Sequence, residues 1–569
     1  MLIYLQSKII DFFYMKRRVA GKFVCYLLFN CLVVIPLNVL AQQIIQPMNK
    51  PILLSGNFGE LRATHFHSGI DIRTGGVEGL PVVCVKEGRL VRVSVSPTGY
   101  GQALYIEHPD GTTTVYGHLQ RFVSQITEIV RELQYRQESF KIDADFRPYQ
   151  LVFRQGDTIA YSGNSGSSGG PHLHFEVRNT LTEHTLNPLH YYQIRDLKAP
   201  VIRMLYLYAI SEEGCVELLR QCPLKVLAAG RYAAGRVTVP SGKIGVGVYT
   251  TDYMNDSWNK LGVYQLTLKV NAKDTLFYFH ADSCSFDQNI LINDIKDFER
   301  YKKKETVYRC FGNFQNQLLG VQNKDRGEIE VAKDSVVRVS LVLADINGNQ
   351  SQVSLELKGG ERKKTVINKE NLLRYDRGYT LDLPEGRLEI EKGCLFSSIE
   401  KHLKVEEDTL TGRHIYVLAR KEVPLLRKAR LTIRGEFTER SLICEMGAAT
   451  GCLYPVETVF RGDSLQAEIG YLSHYVVVED QKAPEITYRG KFPDRTLRFT
   501  IKDDLAGIAS YRGEVNGQWC LFTYDPRVNL LQCSLAEPVF QRGKTNVVTV
   551  YVEDQVGNHG QVTVKVPLN

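Results

Sequence analysis

His172 and His174 stand one residue apart in Pro171-His172-Leu173-His174-Phe175-Glu176-Val177, behind the run Gly163-Asn164-Ser165-Gly166-Ser167-Ser168-Gly169-Gly170. On a strand, residues two apart share a face. His172, His174 and Glu176 therefore point one way, while Leu173, Phe175 and Val177 turn toward a core. Two imidazoles side by side on a rigid strand suit a metal site. Taken alone, the pair reads more readily as two surface histidines. A second cluster upstream, His65-Phe66-His67-Ser68-Gly69-Ile70-Asp71-Ile72, favours the metal reading, as does a further histidine between the two, in Val115-Tyr116-Gly117-His118-Leu119. Imidazoles and a carboxylate are good zinc ligands. A catalytic zinc takes three such groups and keeps one position open.

Together, His67-x-x-x-Asp71, Tyr116-Gly117-His118-Leu119 and the Gly-rich turn ending in Pro171-His172-Leu173-His174-Phe175-Glu176 resemble the lysostaphin/LytM-type zinc endopeptidases of bacterial cell-wall peptidoglycan. The resemblance covers roughly residues 50–195. It implies that His67, Asp71 and His174 hold Zn2+, and that the non-ligand histidines His118 and His172 are catalytic. One of them would orient and deprotonate water; the other would stabilise the oxyanion and assist the leaving amine. Glu176 shares the ligand face and could hold one of the strand histidines. His65 matches no family role.

The residues between these blocks must build the frame. Leu90 to Val95 alternates, and Ala103 to His108 and Thr112 to Tyr116 flank Pro109-Asp110-Gly111, a hairpin turn. His108, beside that turn, is expected to be exposed. Phe122, Ile126, Ile129, Val130 and Leu133 fall at helical spacing, which puts a helix after His118 and near one rim of the site. His67 and Asp71 are four apart, as on one helix face. Gly69 and the alternating Ile70-Asp71-Ile72 instead predict a loop entering a strand. Asn164, Ser167 and Ser168 are expected to shape the Gly-rich turn. No His-Glu-x-x-His motif, phosphate-binding loop or dinucleotide fingerprint occurs.

Residues 1–41 read as a signal peptide. Lys16-Arg17-Arg18 and Lys22 precede a mostly apolar run that ends in Val39-Leu40-Ala41. The run is short and broken for a spanning helix. An exported protein is implied, periplasmic or associated with the cell envelope. The leader holds five basic residues and one acidic, so the whole-chain charge of +7 falls to +3 without it. That is too mild for a nucleic-acid binder. Export permits disulfides, and Cys215/Cys222, Cys444/Cys452 and Cys520/Cys533 are near neighbours in sequence. None has metal-knuckle spacing.

A chain of 569 residues is too long for one core. The expected fold is mostly β: a LytM-like peptidase domain over 45–196, then two or three β-sandwich modules of immunoglobulin-like layout at 197–360, 361–480 and 481–569. The carboxyl-terminal part repeats itself. Asp196-Leu197-Lys198-Ala199-Pro200 returns as Asp480-Gln481-Lys482-Ala483-Pro484. Asp345-Ile346-Asn347-Gly348-Asn349 returns as Asp554-Gln555-Val556-Gly557-Asn558. Asp-rich turns can bind calcium, but no EF-hand spacing appears, and turn chemistry is the expectation. The functional expectation is a zinc endopeptidase acting on peptidoglycan peptides, with cell-envelope proteins as possible partners of the β modules. The alternative is an inactive relative that binds wall or regulates another hydrolase.

Overall fold

A computed structural model describes residues 44–362, 368–409, 411–447 and 451–568. The expected signal peptide lies outside them. The first part is one twisted sheet with strand order β1-β2-β10-β6-β5-β4-β7. Its strands are β1 (Leu54–Gly56), β2 (Ile70–Arg73), β3 (Pro81–Val83), β4 (Gly88–Val95), β5 (Gln102–Glu107), β6 (Thr112–Phe122), β7 (Ile142–Asp145), β8 (Val152–Phe153), β9 (Thr158–Ser162), β10 (His172–Asn179) and β11 (Thr185–Leu186). Strands β8, β9, β3 and β11 attach at the sides of this path.

The three central strands carry the chemistry. β10 pairs antiparallel with β2 on one side and β6 on the other, with His174 opposite both Asp71 and Gly117. The alternation of β10 works as its sequence requires: Leu173, Phe175 and Val177 are fully buried in the apolar core. β5 and β6 form the expected hairpin around Pro109-Asp110-Gly111. The expected helix is α1 (Ser124–Gln137), which buries Ile126, Val130 and Leu133. His108 departs from expectation. It is buried, with Nδ1 at 2.9 Å from the Glu87 carbonyl and Nε2 at 2.9 Å from Thr114 Oγ1. The hairpin folds back on the 85–88 turn, so the residue beside the tip is covered by a neighbouring loop.

Two glycines are dictated by close approach. A Cβ on Gly69 would lie 2.4 Å from the Phe175 carbonyl, because the loop entering β2 runs against β10. Gly166 has φ +72° and sits on the 99–101 loop, where a Cβ would come within 2.3 Å of Gly101 N. Both contacts seat loops of the candidate site on the sheet.

Beyond β11 the chain is again antiparallel sheet. A five-stranded and a seven-stranded sheet cover 201–360, two five-stranded sheets cover most of 379–479, and two four-stranded sheets cover 485–568. The last two face each other across a core of Leu497, Phe499, Ile501, Leu531, Val548 and Val550, which makes a β-sandwich. The largest core ignores the expected boundary at 196: one continuous cluster joins Leu54, Phe58 and Phe175 with Leu205, Val248 and Leu266. Asn57 seals this junction with two 2.8 Å hydrogen bonds to the backbone of Gly262. Cys84, Cys222, Cys310, Cys394 and Cys444 are buried free thiols. Cys520 and Cys533 lie with their sulfurs 3.3 Å apart.

Candidate active site

His67, Asp71 and His174 converge in the middle of the sheet. Asp71 comes from β2, His174 from the facing position on β10, and His67 from the loop before β2. Asp71 Oδ1 lies 3.0 Å from His67 Nε2 and 2.9 Å from His174 Nδ1, and the two nitrogens are 3.2 Å apart. All three residues are buried. Ligands at about 2.0–2.1 Å around a tetrahedral zinc lie a little over 3 Å from one another, so the donor set fits such an ion.

Each donor is held from behind. His67 Nδ1 donates to the Asn57 carbonyl at 2.8 Å, which leaves Nε2 as the free donor atom. His174 Nε2 donates to Glu176 Oε1 at 2.9 Å, which leaves Nδ1. Asp71 Oδ2 accepts from Arg62 Nη2 at 3.0 Å, which leaves Oδ1. Such outer partners fix the tautomer and orientation of metal ligands. Glu176 is fully buried and is itself satisfied by Ser68 Oγ at 2.5 Å, Tyr100 Oη at 2.5 Å and Arg178 Nε at 2.7 Å.

The electrostatics agree with a cation site. Burial alone would raise the Asp71 carboxyl, but the three surrounding imidazoles hold it well below its ordinary value. Burial lowers His67. For His174, burial is outweighed by hydrogen bonds to Asp71 and Glu176, which push it up to about 9. The site thus attracts positive charge at Nδ1, and a divalent cation there would take the place of that proton.

His118 and His172 stand beside this group, their rings 4.8 Å apart. His118 lies on β6 with φ 57°, a left-handed conformation uncommon for a side chain of this size. Its N–H donates to the Tyr100 carbonyl at 2.8 Å, and its Nδ1 donates to the Ser165 carbonyl at 2.8 Å. His172 Nδ1 donates to the Gly170 carbonyl at 2.8 Å, and its Nε2 lies 3.4 Å from Asp71 Oδ1. With each Nδ1 committed to a carbonyl, each Nε2 is the nitrogen left for other partners. Burial, then the neighbouring His174 and His172, push His118 down to about 3, so it is neutral at ordinary pH.

The middle of this sheet resembles a peptidase domain of family M23. Residues 65–134 match that family. Two curated relatives are similar over part of the chain. One is the DD-carboxypeptidase/endopeptidase Mpg of Neisseria meningitidis serogroup B, 30% identical over 129 residues, 23% of each chain. The other is an uncharacterized metalloprotease of Haemophilus influenzae, 28% identical over 123 residues, 22% of this chain and 20% of that one. The chain therefore spans about a fifth to a quarter of the length of these relatives. Among solved structures, a zinc-containing peptidase from Vibrio cholerae is similar at 27% identity, covering 23% of this chain and 35% of that one, with a TM-score of 0.17. The catalytic domain of lysostaphin from Staphylococcus simulans is similar at 21% identity, covering 24% and 87%, with a TM-score of 0.18.

The sheet gathers all five residues expected from the sequence: His67, Asp71, His118, His172 and His174. His65 does not join them. It is exposed, with Nδ1 3.2 Å from Thr64 Oγ1. Ser168 does shape the Gly-rich turn, with Oγ bonded to the Gly170 carbonyl at 2.9 Å and 3.2 Å from His172 Nδ1. Asn57, Arg62 and Tyr100 support the site without a spacing signal in the sequence, whereas Ser68 adjoins His67 and Arg178 continues the alternation of His172, His174 and Glu176 along β10. Arg527 of the last module donates to the Ser168 carbonyl at 2.7 Å, so the far end of the chain touches the turn that carries His172.

Proposed function

We propose that the M23 domain is a zinc-dependent endopeptidase that hydrolyses stem or cross-link peptides of bacterial peptidoglycan. The observation that carries this reading is the placement of two further imidazoles, His118 and His172, against a three-donor cluster of His67 Nε2, Asp71 Oδ1 and His174 Nδ1. Zinc held by that cluster supplies Lewis-acid polarisation of a peptide carbonyl and lowers the pKa of water.

The chain's own residues do the rest. Water attacks the carbonyl carbon, and its proton passes to Nε2 of one imidazole of the pair. The other imidazole, carrying a proton on Nε2, donates to the carbonyl oxygen as negative charge develops there. The proton is then handed to the amide nitrogen as the carbon–nitrogen bond breaks, releasing a carboxylate and an amine. The Ser165 and Gly170 carbonyls accept from Nδ1 of the two rings, which leaves each Nε2 for these roles. His172, with 15% side-chain exposure, is the opening toward solvent.

A peptidoglycan substrate agrees with the family and with the leader read in the sequence, which places the protein outside the cytoplasm, at the periplasm or envelope. No described helix is long and apolar enough to cross a membrane. The trailing modules are read as immunoglobulin-like sandwiches that meet other envelope proteins. The test is digestion of purified sacculi with and without chelator, with fragments resolved by mass. Chelator-sensitive release of uncross-linked peptides is expected. New reducing sugar ends with intact cross-links would identify a glycosidase, and release only between glycan and first amino acid would identify an amidase.

A further inference from the structure

Cys520 and Cys533 meet in the core of the last module. Cys520 extends one of its two sheets: it follows the strand Gln518–Trp519, and its N–H donates to the Gly513 carbonyl at 2.9 Å. Cys533 belongs to the other sheet, on the strand Leu530–Ser534, opposite Leu497 on one side and Phe522 on the other. Their sulfurs are 3.3 Å apart, and both residues are buried in the same apolar cluster as Leu497, Phe499 and Phe522. Two thiols gain only a weak S–H···S contact there. A disulfide places its sulfurs about 2.05 Å apart, so a small approach of the two closes the bond.

The pair sits where a bond would hold a contact with the candidate active site. It closes the segment 520–533, whose strands Phe522–Asp525 and Leu530–Ser534 form a hairpin. In the turn of that hairpin, Arg527 is held by Asp525 through Nε at 2.9 Å and Nη2 at 2.7 Å. Its Nη1 donates to the Ser168 carbonyl at 2.7 Å. Ser168 Oγ lies 3.2 Å from His172 Nδ1. Beside the cysteines, Trp519 adjoins Cys520 and packs on Tyr135 of α1, and Glu537, just past Cys533, bonds Arg131 and Tyr135 of the same helix. These contacts with the first part of the chain start from the two segments that the bond would join.

We propose that Cys520 and Cys533 form a disulfide in the exported protein, and that this bond holds the Arg527 hairpin against the turn that carries His172. The supply of oxidant rests on the export read in the sequence, because disulfides persist outside the reducing cytoplasm; the pairing rests on geometry. The oxidant is an external disulfide. One cysteine thiolate attacks a sulfur of it and expels a thiolate. The other cysteine thiolate attacks the protein sulfur of the mixed disulfide and expels a second. Two protein thiols thus give two electrons to one external disulfide, and their two protons end on the two thiols released. The adjacent Cys520 thiol, then burial, raise the Cys533 thiol, so the folded pair reacts poorly and the exchange takes place as the module folds.

The test uses full-length protein away from the cell, so a wrong location would not affect it. The protein is reduced, unfolded and refolded in glutathione and glutathione disulfide. Remaining thiols are alkylated, and tryptic peptides are resolved by mass without reduction. Protein secreted behind a heterologous leader and alkylated at harvest is a second preparation that needs no refolding. The expected product is residues 513–527 joined to residues 528–542, two hydrogens lighter than the separate peptides. Alkylation of both Cys520 and Cys533, or either one joined to a different cysteine, would overturn the pairing. The hold on the hairpin is read by trypsin cleavage after Arg527 in the native protein. Reduced wild type, and Cys520→Ala combined with Cys533→Ala, should each be cut several-fold faster than the linked form. Reduced wild type has no new cavity, so its faster cleavage separates the bond from a packing defect. Equal rates for linked and reduced wild type would overturn the hold. Neither readout depends on zinc or on peptidase activity, so failure of the peptidase reading would show separately.

Discussion

Glu176 Oε1 lies 2.9 Å from His174 Nε2, on the side of the ring opposite Asp71. One carboxylate therefore sets the tautomer of a ligand while a second shares the metal edge. Glu176→Gln should lower zinc affinity by about 10–100-fold, the usual effect of losing such a partner. It should also cost about 1–3 kcal/mol of stability, because buried Arg178 keeps only the exposed Glu183 as its charge partner. Competition with a zinc-sensitive dye and chemical denaturation read the two effects. Unchanged affinity would show that Asp71 alone orients His174.

His118→Ala and His172→Ala should each retain zinc and lose activity by ~10² or more, the scale of a lost acid–base or oxyanion group. Parallel metal analysis and peptide cleavage check this. Zinc loss in His172→Ala, with zinc kept in His174→Ala, would mean that ligand and base are exchanged on β10.

Glu537 ties the last module to α1. It accepts from Arg131 at 3.1 and 2.7 Å and from the Tyr135 hydroxyl, while Trp519 stacks edge-on against Tyr135. Glu537→Ala should cost about 1–2 kcal/mol through the lost hydrogen bonds. Limited proteolysis should then release the 481–569 module sooner than in wild type. An unchanged cleavage rate would assign the docking to the aromatic contact.

His108 gives a pH dependence away from the metal. Burial holds its imidazole below the ordinary value, so the fold favours the neutral ring. Its contribution is present above the unfolded pKa of about 6.5 and is lost as the pH falls from there through the folded value. Denaturation midpoints between pH 7 and 5 should fall more steeply for wild type than for His108→Gln. Equal slopes would remove His108 from the acid sensitivity.

The site was legible because β10 and β2 are short and strongly patterned. Strand alternation alone put His172, His174 and Glu176 on one face, and Gly69 marked a loop rather than a helix before Asp71. The docking of loops was not legible. His108 looked exposed beside its turn because the 85–88 segment that covers it is distant in sequence. Arg62 and Asn57 carry no spacing signal, since their partners are set by how the 57–66 loop packs against the second module. The continuous core from Leu54 to Leu266 escaped notice for the same reason: a boundary drawn from a repeated motif says nothing about which apolar faces meet.

Zinc content per chain is the most direct measurement of the central claim. Elemental analysis should give about one zinc for wild type, and for Asp71→Ala a value near zero, with peptide release lost in the same preparation. Full stoichiometry in Asp71→Ala would contradict the assignment of His67, Asp71 and His174 as the metal ligands.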